Sequence, residues 1–300
     1  MAAINVNCPP LLPTHILTPG GEVNGGIATS NVDDYFCATD TWVTRNPMLQ
    51  TRETQAGALL PNGIVIVSHG FVNAPFNATD TAEFYDPTTT LWSAAPSAAV
   101  ARGDVGGDTL NGLYYVVGGT NDGTTPLNTV EIFDPIANTW SIGNPLPTPR
   151  FQLVAITLNG LLHTIGGFNG VELTTHEAYD PLTNTWSTKA PLPQPLAFLS
   201  AAIFGGKIYV IGGRAPGFTP TNVVYIYDPV TDMWTSGAAM PTPRWGMASC
   251  VCDSEIFVMG GFNPPNYLNI VEAYNPVTDT WRTNVAPMPT ARAIYPCISL

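Results

Sequence analysis

Six of the seven tryptophans in this 300-residue chain fall at Trp42, Trp92, Trp140, Trp186, Trp234 and Trp281, successively 50, 48, 46, 48 and 47 residues apart. A period of about 40–50 residues held across most of a chain marks a repeat architecture, in which each unit buries its apolar face against its neighbours. Other residues keep the same phase. Seven residues before each Trp stands an aromatic: Tyr35, Tyr85, Phe133, Tyr179, Tyr227 and Tyr274. Nine residues before it stands an acid in five copies (Asp33, Glu83, Glu131, Glu177, Glu272), with Tyr225 in the fifth copy instead. A glycine pair precedes the Trp by about 20 residues as Gly20-Gly21, Gly118-Gly119, Gly166-Gly167, Gly212-Gly213 and Gly260-Gly261, while the second copy reads Ser68-His69-Gly70. Arginine opens a further short segment at Arg52, Arg102, Arg150, Arg244 and Arg292, replaced once by Leu196.

Each repeat must be built from strands. Glycine (28) and proline (29) together leave little room for helix interiors, which both residues disrupt. The apolar share of 45% argues against disorder. Short apolar runs ending in glycine, such as Leu113 to Val117 and Ile208 to Ile211, read as buried strands.

The order of apolar run, Gly-Gly, Glu-x-aromatic, Trp and Arg resembles the Kelch repeat, in six copies covering nearly the whole chain. The resemblance implies an all-β, six-bladed β-propeller with four-stranded antiparallel blades. Residues 1–12 read as an N-terminal extension and 13–300 as a single propeller domain. The first copy lacks a preceding Arg-led strand, and the chain ends in one, Arg292 to Leu300. Blade one is therefore expected from 13–47 plus 292–300, with the C-terminal strand closing the ring. Five positions after the Arg or Leu196 come the small residues Gly57, Gly107, Ala155, Ala201, Ser249 and Cys297, suited to six strands converging on an axis.

Charge narrows the partners. A net charge of −12, with only Lys189 and Lys207 as lysines, excludes nucleic acid and an anionic membrane surface. The N-terminus has no basic region followed by a sustained apolar stretch, so no signal peptide is recognised, and the compartment reading leans cytoplasmic. The five cysteines are an odd number without metal-ligand spacing. Cys250 and Cys252, two apart in a strand, are too far apart to bridge each other, and the cysteines read as buried small hydrophobes.

In Kelch-like propellers the loops after the glycine pair and before the Arg share one face, commonly the ligand face. Here that face would carry Phe71, Phe168, Phe262 and Arg214 after the doublets, then Asn73, Asn121, Asn169 and Asn263, with Phe151 and Trp245 beside the Arg positions. Trp245, outside the structural phase, is the leading single candidate. His69 and the set Arg52, Arg102, Arg150, Arg244 and Arg292 complete the expected ligand-binding face. The residues also allow a structural reading: Asn for left-handed turns, Phe against the next blade, and Arg paired with the in-phase Glu. His163 and His176 read as strand residues, and His15 starts a strand, so no zinc or copper site is expected and no cofactor. Asp104 and Asp108, near the channel, raise the question of a cation. No Gly-x-Ser-x-Gly, phosphate loop or His-Glu-x-x-His occurs. The leading expectation is a monomeric, non-enzymatic scaffold for a protein or peptide. A lectin-like propeller is the alternative, followed by a sugar-processing enzyme using His69.

Overall fold

The computed structural model describes residues 14–72 and 77–300. The N-terminal extension, Cys8 and Asn73 lie outside these residues. The chain forms six four-stranded antiparallel sheets, and no helix occurs among the described residues. In blade two the strands run outward as Ala56–Leu59, Val65–Ser68, Ala82–Asp86 and Leu91–Ala95. Blade six repeats this order as Ala248–Cys252, Glu255–Met259, Val271–Asn275 and Thr280–Arg282. The second strand of each blade is buried almost throughout, as its mainly apolar run favours, and the outermost strand is mostly exposed.

Blade one is completed from both ends of the chain. Ile298–Ser299 pairs antiparallel with His15–Pro19, Ile16 opposite Ser299 and Leu17 opposite Ile298. The innermost strands of all six blades then contact one another in a closed circle.

Two repeating devices join the blades, the first through a tryptophan anchored within its own blade. The in-phase Trp packs on the in-phase aromatic across the strand pair, as in Tyr85 and Trp92 with ring centroids 5.0 Å apart. Its indole N–H donates to a carbonyl of the preceding blade: Trp92 to Asn46, Trp140 to Pro96, Trp234 to Ala190 and, across the closing seam, Trp42 to Ala286. The second glycine of every doublet, at φ near +100°, donates its N–H to the carbonyl of the Arg or Leu196 that opens the next blade, for example Gly167 to Leu196 (2.8 Å) and Gly213 to Arg244 (3.0 Å). A side chain on the first glycine would strike that same carbonyl, 2.4 Å from Arg150 O at Gly118 and 2.5 Å from Arg292 O at Gly260. In the five blades with a doublet, glycine meets both this close approach of two backbones and the torsion angle, while blade two accommodates His69 at the first position.

The cysteines correct their sequence reading. Cys37 is bridged to Cys252 and Cys250 to Cys297, with Cα atoms 6.4 and 6.1 Å apart. Cys250 and Cys252 do not bridge each other; both point from blade six to blade one. Their partners lie 47 and 215 residues away in sequence, and only closure of the ring brings them within reach. The Cys37–Cys252 link ties the N-terminal strands of blade one covalently to blade six.

Candidate functional site

The Arg residues expected on the binding face lie inside the blades. Arg52, Arg102, Arg150, Arg244 and Arg292 are fully buried, each paired with the acid on the third strand of its own blade. Arg150 Nη1 lies 2.6 Å from Glu177 and Arg244 Nη1 2.5 Å from Glu272. The same guanidinium groups donate to second-strand carbonyls, such as Thr164 and Val258. A buried charge requires a partner and further hydrogen bonds, and the in-phase acid supplies both. The expectation that these five side chains face a ligand is thereby corrected.

His69 is corrected in the same way. It is fully buried at φ +62°, in the place of the first glycine. The ring fits one neutral tautomer: the Ser68 hydroxyl donates to Nδ1 (2.8 Å), and Nε2–H donates to Glu131 (3.1 Å) beside Arg102. Burial, reinforced by the Arg102 charge and opposed by Glu131, holds its pKa down at about 4. It is a structural bridge between blades two and three, withdrawn from solvent. His163 and His176 are also buried and contact each other, at 2.9 Å.

The face carrying the doublet loops is organised by residues that, Asp104 apart, the sequence reading passed over. Two residues after each Arg or Leu196 stand Thr54, Asp104, Gln152, Phe198, Gly246 and Ile294, all with φ between +49° and +63°. Left-handed angles are unusual for any non-glycine residue, and most of all for β-branched Thr and Ile. Their N–H groups form a belt around the channel. Gln152 donates to Asp104 O, Phe198 to Gln152 O, Gly246 to Phe198 O, Ile294 to Gly246 O and Thr54 to Ile294 O. Asp104 N–H closes the circle on the Thr54 hydroxyl (2.9 Å). Six registered positions two after the Arg were visible in sequence, but their dissimilar side chains hid a shared backbone role.

The belt residues line a recess of about 190 Å³ at the channel mouth. A second recess, of about 340 Å³, opens at the other end and includes Asp108. Gly57, Gly107, Ala155, Ala201, Ser249 and Cys297 line both, so the small residues mark the channel between them. Asp104 and Asp108 are thus separated along the channel, and Asp108 accepts the Thr157 N–H of the next blade (2.7 Å). Among the described residues no cluster of His, Cys, Asp and Glu has metal-site geometry.

The mouth is divided. Blades four to six supply an aromatic wall. Arg214 is buried within it, its guanidinium 5.2, 5.3 and 5.0 Å from the Phe168, Phe198 and Phe218 ring centres. It is fixed by Glu172 and Gln152, both at 3.0 Å. Trp245 packs on Phe262, and Phe262 on Tyr267, at centroid distances of 5.3 and 4.8 Å. Trp245, Phe71 and Phe151 are nearly buried, Phe168, Phe262 and Asn263 half-buried, and Asn169 and Phe218 exposed. The structure therefore favours Phe218, which the sequence reading missed, over Trp245 as the accessible aromatic.

Blades one to three supply acids. Glu22 occupies in blade one the post-doublet position held elsewhere by Phe, Thr or Arg, and Glu53 follows Arg52. Burial and the negative charges of Glu22 and Asp104 push the Glu53 carboxyl up to about 8. Asp104 rises to about 7, chiefly through burial, although Gln152 and Arg214 act against the shift.

The comparisons with known proteins agree with this architecture. The family model described as the KLHDC2/KLHL20/DRC7 Kelch-repeats domain matches residues 109–295, more than half of the chain. A solved structure titled "Structure of YjhT" is similar in fold, with a TM-score of 0.71 and 18% identity, over 82% of this chain and 87% of that one. No curated protein matches. With its six registered blades and a family match of that extent, the chain belongs to the Kelch-repeat family of β-propellers.

Proposed function

We propose that the protein is a non-enzymatic scaffold that receives a segment of another protein across the channel mouth on the doublet-loop face. The observation that carries this reading is the make-up of the mouth: Asp104 and Phe198 line a small recess, with Glu53 and Glu22 close enough to Asp104 to interact electrostatically and Phe168 and Phe218 packed with Phe198 around Arg214. Ligand pockets for whole small molecules measure about 300–1,000 Å³. The recess of about 190 Å³ is suited to one side chain entering from a ligand that lies mainly on the rim. Membership of a family of binding propellers supports the same reading. The two disulfides favour an oxidising compartment for this encounter, against the cytoplasmic leaning of the sequence.

A random-peptide display selection against the full chain tests the proposal. Enriched peptides are expected to lose binding to Phe218→Ala and Phe262→Ala and to retain it with Ile136→Ala, an exposed residue of an outer turn. Loss at Ile136 with none at the two Phe positions would place the ligand elsewhere. A parallel glycan array separates the lectin-like alternative: saturable glycan binding sensitive to Phe218, with no peptide enriched, would replace the peptide reading.

A further inference from the structure

We propose that the acidic half of the mouth is a socket for one basic side chain, an ammonium or guanidinium group presented by the bound protein segment. This rests on the scaffold reading above and specifies what that segment carries.

The first observation is a set of buried acceptors without donors. Asp104 Oδ1, Glu53 Oε2 and Gln55 Oε1 have no hydrogen-bond partner. Asp104 is 7% and Gln55 5% exposed, and both line the mouth recess. Such acceptors are costly unless something donates to them. Gln55 is the informative member because it is neutral. Its Nε2 donates to Pro19 O (2.9 Å), which fixes the amide and leaves Oε1 as the free end. The second observation is that the neighbouring cation is already committed. Arg214 spends Nε on Glu172 and Nη2 on Gln152, boxed by aromatic rings. It holds Gln152, and Gln152 Nε2 in turn donates to the other Asp104 oxygen, Oδ2 (3.2 Å), so Oδ1 is the oxygen without a donor; it is shut off from solvent, and an incoming group must shift its neighbours to reach it.

Glu53 and Asp104 hold their protons readily because their pKa values are raised; a bound cation favours their ionised forms, and the site then offers only acceptors, which donor-only groups match. An ammonium carries three N–H donors and a guanidinium five, with no lone pair to repel the carboxylates. A calcium ion would require six to eight oxygen ligands, beyond what the three side chains offer. The recess admits a single side chain. At long range the net charge of −12 draws a basic segment towards the protein. The aromatic wall opposite the acids can cover the apolar stem of Lys or Arg.

Three probes, N-acetyl-lysine methylamide, N-acetyl-arginine methylamide and N-acetyl-norleucine methylamide, titrated into the full chain and followed by side-chain carboxyl NMR shifts, test the proposal. The basic probes are expected to bind at least tenfold more tightly than the norleucine probe. Asp104→Asn is expected to weaken them at least tenfold. Asn tolerates the left-handed angle and keeps the belt N–H, so an unchanged melting temperature would verify that the variant is folded. Glu53→Gln, outside the belt, gives a second reading of the same loss. Equal binding of all three probes, absence of binding by the basic ones, or undiminished binding to both variants would overturn the socket. So would Ca²⁺ moving the same resonances at lower concentration than the amines. The scaffold reading fails separately. Selected peptides that bind the rim with no basic preference would sink the socket alone. Basic probes that bind while no peptide is enriched would sink the scaffold alone.

Discussion

Blades five and six are adjacent copies of one repeat, yet they fill the same space with opposite chemistry. Blade six buries Arg244 against Glu272, with further bonds to Thr242 and Val258 carbonyls. Blade five has Leu196 and Tyr225 at the two equivalent positions, packed among Leu192, Leu199, Ile208 and Val210. The backbone does not register the exchange. Leu196 O accepts the Gly167 N–H at 2.8 Å, and Arg244 O accepts the Gly213 N–H at 3.0 Å. The blade junction is thus built by the main chain, and the side-chain pair beneath it is replaceable provided that both members change. A buried ion pair is costly to break and cheap to exchange for well-packed apolar groups, since its attraction largely repays desolvation. Blade six differs again in being cross-linked to blade one through Cys250 and Cys252, whereas blade five carries no cysteine.

The largest effect expected from this comparison is at Arg244. Arg244→Leu leaves Glu272 buried beside Thr242 without its counter-charge and should lower stability by about 3–5 kcal/mol. The double variant Arg244→Leu/Glu272→Tyr, which copies blade five, should recover to within about 2 kcal/mol of the parent in urea unfolding. A double variant as unstable as the single one would show that blade five depends on neighbours that blade six lacks. Next in size is the seam. Cys37→Ser removes the longer-range bridge and should lower stability by about 2–4 kcal/mol. Reductant should shift the melting temperature of the parent more than that of the variant; equal shifts would mean that the Cys37–Cys252 bridge adds nothing to the Cys250–Cys297 bridge and the strand pairing.

The smallest effect concerns blade two, where His69 replaces a glycine. Its folded pKa of about 4 lies below the ordinary 6.5. Its contribution to stability is therefore complete above about pH 6.5 and is lost as pH falls through about 4, because the unfolded chain binds the proton first. His69→Gly restores the doublet of the other blades and should reduce the fall in melting temperature between pH 7 and 5. Identical falls in parent and variant would remove His69 from the pH response. Glu131, its partner, is pulled down to about 2: the His69 hydrogen bond and Arg102 outweigh the opposing effect of burial. That contribution is complete above the ordinary carboxylate value of 4.5 and is lost progressively as pH falls from 4.5 to about 2, so the Glu131 window begins where the His69 window ends.

Much of the fold was legible because it repeats. One tryptophan or one glycine pair would say little, but six copies in register identify the blades, the order of strands and the strand from the C-terminus that completes blade one. The site was less legible for the same reason. Repetition drew attention to the Arg set and to His69, which the structure buries, and away from positions whose residues differ from blade to blade. Thr54, Asp104, Gln152, Phe198, Gly246 and Ile294 share no chemistry in sequence, yet they share one backbone angle and one belt.

The sequence by itself determined that this chain is all-β, sixfold and closed by its C-terminal strand, because local periodicity and turn residues report strand and repeat directly. Only the tertiary structure decided that the cysteines bridge, that the arginines are internal, and that Glu22, Glu53 and Asp104 from three successive blades gather on one side of the mouth. Those outcomes depend on contacts between residues tens to hundreds of positions apart. The cysteine and mouth contacts come into being when the ring closes, whereas the arginine pairs form inside single blades, where the repeat register offered them as one of two readings.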